Sequence, residues 1–194
     1  MEKEIFTAIG IAFMAVSYGV YIFSIFKGET RPHPFSWFIW GLLTAIACAA
    51  QIADGGGIGT SITALSAVIS FFIALIGYIK RDNIIISKSD VISFFLSLLA
   101  IPLWLITDTP LWSVILITLI DAGGFYPTYR KSWHHPQQES CLSFALGGFK
   151  HVFTILALEN ISVITALFPL SLVLTNFGLI TLIFFRKGMM NRDK

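Results

Sequence analysis

YIFSIFKGETRPHPFSWFIWG, residues 21–41, and FYPTYRKSWHHPQQESCLSFA, residues 125–145, lie 104 positions apart and follow one plan. Each leaves an apolar run, crosses a short basic turn and enters another apolar run. Lys27, Pro32 and Ser36 recur as Lys131, Pro136 and Ser140, and an aromatic ring recurs at Trp40 and Phe144. Parallel duplication inside an apolar chain points to a polytopic membrane protein, and first to a transporter whose halves rock about a central site.

Composition supports a bilayer setting. The 194 residues are 56% hydrophobic and only 12% charged, with a mean hydropathy of +0.80. Soluble proteins are about one-quarter charged, and 18 Phe and 5 Trp would have to be hidden along with long Leu and Ile runs. The net charge of +2 comes from 13 basic against 11 acidic residues, and most of the basic ones lie in short segments between apolar runs. No basic stripe marks a nucleic-acid partner. Cys48 and Cys141 fall inside apolar runs without a CxxC, which fits inert buried thiols. The acidic start MEKEIFTAIG, followed by an apolar run ending at Lys27, predicts a first membrane helix rather than a cleaved leader.

Hydropathy predicts an all-α membrane protein with seven transmembrane helices, at 5–26, 35–53, 58–79, 89–107, 111–129, 141–158 and 161–185. Eleven of the 13 basic residues then fall on one side, with Lys3 opposite and Lys150 within a span. The other loops carry Asp54, Asp108 and Glu159. The positive-inside rule places the N-terminus outside and the C-terminus in the cytoplasm. The repeat offset needs one helix between the halves to keep them parallel. The expected layout is therefore 3+1+3: a three-helix bundle over 1–82, a linker over 83–109 and a second parallel bundle over 110–194. The glycines of ADGGGIGT, residues 53–60, lack the strand and lysine of a phosphate cradle and read as a turn or helix cap.

The layout and its residues resemble the SWEET, PQ-loop and PnuC-like transporter superfamily. Tyr126, Pro127, Lys131, Ser132 and Ser140 carry the likeness in the second half, and Lys27, Gly28, Thr30, Pro32, Ser36 and Trp37 in the first. Pro127-Thr128 and Phe23-Ser24 stand where a PQ-loop protein places Pro-Gln. The resemblance implies an integral protein of a bacterial cytoplasmic membrane moving a small solute such as a sugar, amino acid or vitamin-like compound. It also allows a homodimer.

Polar residues inside the apolar runs mark the candidate site, because ionisable groups at membrane depth are costly. Asp121 and Lys150 sit near the middles of the fifth and sixth runs. They read either as a pair facing a substrate cavity or as a structural ion pair, with snorkelling of Lys150 a further alternative. Asn176 offers both a donor and an acceptor; the resemblance favours a pocket role, and helix–helix hydrogen bonding is the alternative. Its repeat partner Phe72 suggests an aromatic wall opposite. Ser17, Tyr18 and Thr44 are expected at similar depth. His151 reads as a proton relay or as a donor to a backbone carbonyl. Gly123, Gly124 and Pro127 suggest a hinge or gate, or close packing. The tryptophans, mostly near run ends, read as headgroup anchors.

The substrate-binding set is thus Asp121, Lys150, Asn176, Ser17 and Tyr18, with Asp121, His151, Gly124 and Pro127 for coupling or gating. The expected function is transport of a small polar solute by alternating access, either coupled to protons through Asp121 or as uniport with a permanently ionised Asp121–Lys150 pair. A non-transporting receptor or assembly protein is the alternative. An enzyme is not expected, since neither an activated nucleophile nor a metal constellation is visible. No cofactor or metal is expected.

Overall fold

The computed structural model describes residues 1–28, 32–80, 88–134, 136 and 141–192, and among them no strand occurs. Seven α-helices follow in order: α1 (Glu2–Phe26), α2 (Pro34–Ala53), α3 (Thr60–Ile79), α4 (Lys88–Thr107), α5 (Leu111–His134), α6 (Cys141–Ala157) and α7 (Val163–Arg192). A 3-10 turn at Gly57–Gly59 is the eighth helical element.

Local chemistry sets the helix starts. His33 caps α2 by accepting from the Ser36 backbone N–H at 3.3 Å, and Pro34 takes the first turn, where its missing N–H costs nothing. At α7, Ser162 Oγ accepts from the N–H groups of Ile164 and Thr165, while Thr165 Oγ1 accepts from Ser162 N–H at 2.9 Å. This is a reciprocal cap that satisfies otherwise orphaned donors.

The chain is a multi-span α-helical membrane protein, but the seven-span 3+1+3 expectation is corrected. Among the described residues four helices are long and apolar enough to cross a membrane: Glu2–Phe23, Pro34–Ala53, Gly57–Ile79 and Val163–Met190. The apolar stretches Phe94–Thr107, Leu111–Phe125 and Cys141–Ala157 have at most 17 residues. Of these, α6 has 17 residues in all, and at ~1.5 Å per residue it falls short of a ~30 Å hydrocarbon layer. Hydropathy counts all seven runs as spans, the sixth being the shortest, whereas α5 carries Asp121 and α6 carries Lys150 and His151 inside theirs. The N-out/C-in orientation rested on a count of seven and the two parallel three-helix bundles on the 104-residue offset; both belong to the 3+1+3 arrangement that the four candidate spans replace.

The packing also departs from two self-contained halves. Although α3 packs on α2 and α7 packs on α5 and α6, α1 packs far more on α6 than on α3. Phe13 stacks on Phe149 and Phe153 with ring centroids 5.5 and 5.6 Å apart, tying the first helix to the sixth. Leu43, Ala47 and Ala50 of α2 meet Ala100 of α4, Val114 and Ile117 of α5 and Phe168 of α7 in the largest buried apolar cluster. Outside it, Val20, Val68, Leu75, Leu105, Leu119 and Phe184 are exposed, as lipid-facing positions should be.

One end of the molecule is closed by polar contacts between the α2–α3 and α6–α7 connections. Asn160 Nδ2 donates to Asp54 O at 2.7 Å, Ser162 Oγ donates to Asp54 Oδ2, and Glu159 N–H donates to Gly56 O at 3.0 Å. Gly57 is at φ +66°, and a Cβ there would lie 2.1 Å from Glu159 Cδ. That position therefore needs glycine for its torsion, whereas Gly59 needs it for space, since a Cβ there would lie 2.5 Å from the Ala157 backbone carbonyl carbon. The ADGGGIGT stretch is thus a turn, and its glycines let the two connections meet.

Beside this closure, Pro169 lies inside α7 and has no N–H for the Thr165 carbonyl one turn earlier. Gln51 of α2 supplies the donor, its Nε2 reaching Thr165 O at 2.9 Å in a buried contact. The P169A change restores a helical N–H to that carbonyl, so it should be more favourable in a Q51L background than in the wild type. A coupling of about 1 kcal/mol is expected for one such bond. Unfolding midpoints of the four proteins in detergent micelles measure it, and strict additivity would contradict the assignment.

Candidate functional site

Five helices plus Tyr18 of α1 surround a cavity of about 240 Å³. Each helix gives it one stripe at helical spacing. From α2 come Trp37, Trp40 and Thr44, and from α3 come Thr63, Ser66 and Ser70. The fifth helix contributes Asp121 and Phe125; the sixth contributes Gly147, Lys150, His151 and Thr154. From α7 come Phe168, Pro169, Leu172 and Asn176. Positions i, i+3 or i+4, and i+7 or i+8 share one helix face, so the cavity is built from continuous faces rather than loops.

Asp121, Lys150 and Asn176 are buried at 6%, 7% and 7% exposure. Among the described residues no ion pair joins Asp121 to Lys150, and Asp121 Oδ2 has no hydrogen-bond partner. Lys150 instead points at Tyr18: its Nζ donates to the phenolic oxygen at 3.4 Å and lies 5.0 Å from the ring centre. That geometry is a weak hydrogen bond with a cation–π contact. The direct pair entertained from the sequence is therefore not formed. Both α5 and α6 pack on α7, which brings the two groups to one cavity by a route other than direct helix pairing.

Asn176 Nδ2 donates to Leu172 O at 2.7 Å. Its Oδ1 lies over Gly147, where an added Cβ would come within 3.0 Å. Ser70 and Thr154 donate to carbonyls one turn back in their own helices at 2.8 and 2.9 Å. This satisfies their protons and leaves oxygen lone pairs as acceptors.

Tyr18, Thr44 and His151 line the cavity as well. Ser17 is half-buried but outside the lining. Gly123 and Gly124 lie within the continuous α5 helix, and an added Cβ at either meets nothing within 4 Å, so neither serves close packing. The Pro127 side chain lies outside the described residues. Phe72 is 49% exposed and absent from the lining, so the aromatic wall comes from other residues. Trp37 and Trp40 supply much of it, packed edge to face with centroids 5.2 Å apart. They were read as anchors because both lie near the start of a run. Their signal was the shared stripe with Thr44, and on α3 the hydroxyl residues at 63, 66 and 70 carried the same signal.

A water-filled cavity and a lipid-facing surface differ in reactivity. In a chain with Cys48 and Cys141 replaced, single cysteines at Thr44 and Ser70 should react with a small hydrophilic thiol reagent. Cysteines at the exposed apolar positions Val68 and Leu119 should not react in a bilayer. Equal reactivity at all four positions would contradict this division.

Comparison of the chain with family models, with curated proteins and with solved structures gives no match.

Proposed function

We propose that this protein moves a small polar solute across a membrane by exposing the cavity alternately to the two sides. The observation that carries the proposal is a buried acid and a buried amine on one cavity, unpaired with each other, in a protein whose outer surface is apolar. Groups so costly to hold at membrane depth mark solute or ion pathways. A packed core without ligand would be better served by apolar side chains. The setting proposed is a bacterial cytoplasmic membrane, which, like kinship with the SWEET, PQ-loop and PnuC-like transporters, rests on the sequence resemblance. No catalytic step enters this reading.

The closure through Asp54, Asn160, Ser162 and Gln51 supports a state sealed at that end. Alternating exposure would require those polar contacts to break and re-form, and each is a modest exchange with water. Asp121 is the proposed coupling group. The titratable groups sharing its cavity are Tyr18, Lys150 and His151. A proton taken up by Asp121 from one side and released to the other would tie solute movement to a pH gradient.

Flux into proteoliposomes carrying the full chain, with a broad solute panel and an imposed pH gradient, tests the proposal. At least one solute should accumulate faster than in empty liposomes, and D121N should lose the dependence on the gradient while still folding. Solute binding without flux under every gradient would overturn transport and favour a receptor. Unchanged gradient dependence in D121N would overturn its coupling role.

A further inference from the structure

We infer that the cavity selects a small zwitterion, a solute carrying an ammonium and a carboxylate on one short skeleton, with the ammonium at Asp121 and the carboxylate at Lys150. The inference rests on the reading of the cavity as a solute site and adds its chemical class. Asp121 and Lys150 are each more than nine-tenths buried, line the same cavity and form no ion pair. Among the described residues Asp121 Oδ2 has no hydrogen-bond partner. The Lys150 ammonium has three N–H donors, of which Tyr18 takes one at 3.4 Å.

Each charge therefore needs a countercharge that the described residues do not supply at contact distance, and the two needs are opposite. A neutral polyol would meet neither. An anion would meet Lys150 but be repelled by Asp121, and a cation would do the reverse. A zwitterion meets both without adding net charge to a low-dielectric site. Asn176, Thr63 and Ser66 line the same cavity, the Ser66 hydroxyl donating to Met14 Sδ at 3.3 Å, while Trp37 and Phe168 offer an apolar wall for a side chain. The cavity's 240 Å³ holds about eight waters at ~30 Å³ each, which limits the skeleton to a few heavy atoms beyond the charged groups.

The test uses the full chain in lipid nanodiscs, with the fluorescence of Trp37 and Trp40 against the cavity as readout. The probes are the twenty free L-amino acids, the N-acetyl and amide derivatives of whichever binds, and glycerol and glucose as neutral controls. At least one free amino acid should bind, and masking either its amine or its carboxylate should weaken binding by about tenfold or more. D121N should erase the preference for the free amine over the N-acetyl form, and K150M the preference for the carboxylate over the amide. Where a variant fails to fold, the derivative series on the wild type decides. Absence of binding by every free amino acid, or equal binding of the masked forms or glucose, overturns the zwitterion. Charge-dependent binding without flux in liposomes would keep this inference and overturn transport; flux of glucose without charge preference would do the opposite.

Discussion

Two opposite charges held beside one cavity without touching impose the constraint around which the rest of this structure is arranged. Removing a carboxylate and an ammonium from water costs several kcal/mol per ion even after relaxation. Direct pairing would be the simplest compensation, and the fold does not use it for Asp121 and Lys150. The lysine is sheltered by the face and hydroxyl of Tyr18, and, His151 apart, the remaining polar wall is made of serine, threonine and asparagine side chains. Those groups accept hydrogen bonds without adding charge, so they keep the cavity polar while leaving the two ions open to a third partner.

The helices around the cavity are held by apolar seams and by polar contacts at one end. The α1–α6 seam is aromatic, through Phe13, Phe149 and Phe153, and the α2–α4–α5–α7 junction is mostly aliphatic, with Phe168 from α7. At one end, the Asp54, Glu159, Asn160 and Ser162 contacts draw two connections together around Gly57. Pro169 makes one α7 carbonyl available, and Gln51 uses it to couple α2 to α7 next to the cavity. Apolar seams fix which helices meet, and the polar end contacts decide how firmly they are held. Of the two, the polar contacts are the easier to exchange for water, and so the natural place for an opening movement.

The membrane character and most helix boundaries were legible in the sequence because apolar runs and basic turns alternate so clearly. The helix starts at Pro34 and near Thr60 and the end at Phe26 follow from that alternation. The number of spans was not legible, because hydropathy does not separate a 17-residue apolar helix such as α6 from one that reaches across a bilayer. Asp121, Lys150, Asn176 and Tyr18 could be picked out because charge and amide groups inside apolar runs are rare. Trp37, Trp40 and the α3 hydroxyl stripe were missed because each residue, taken singly, has an ordinary use at a membrane interface or a helix contact. Only their common helix face distinguishes them. The Asp121–Lys150 pairing failed for a related reason: equal depth along two helices says nothing about rotation, and α7 packs against both of those helices.

The most direct measurement is the separation of the two buried charges in a bilayer without solute. Dipolar recoupling by solid-state NMR between the Lys150 ¹⁵Nζ and the Asp121 ¹³Cγ reads it in the full chain. The account predicts no ion-pair contact, with the lysine nitrogen coupled instead to the Tyr18 ring. A Lys150–Asp121 N···O separation within ~4 Å would mean that the two groups serve each other, and would contradict the claim that they are held open for a solute.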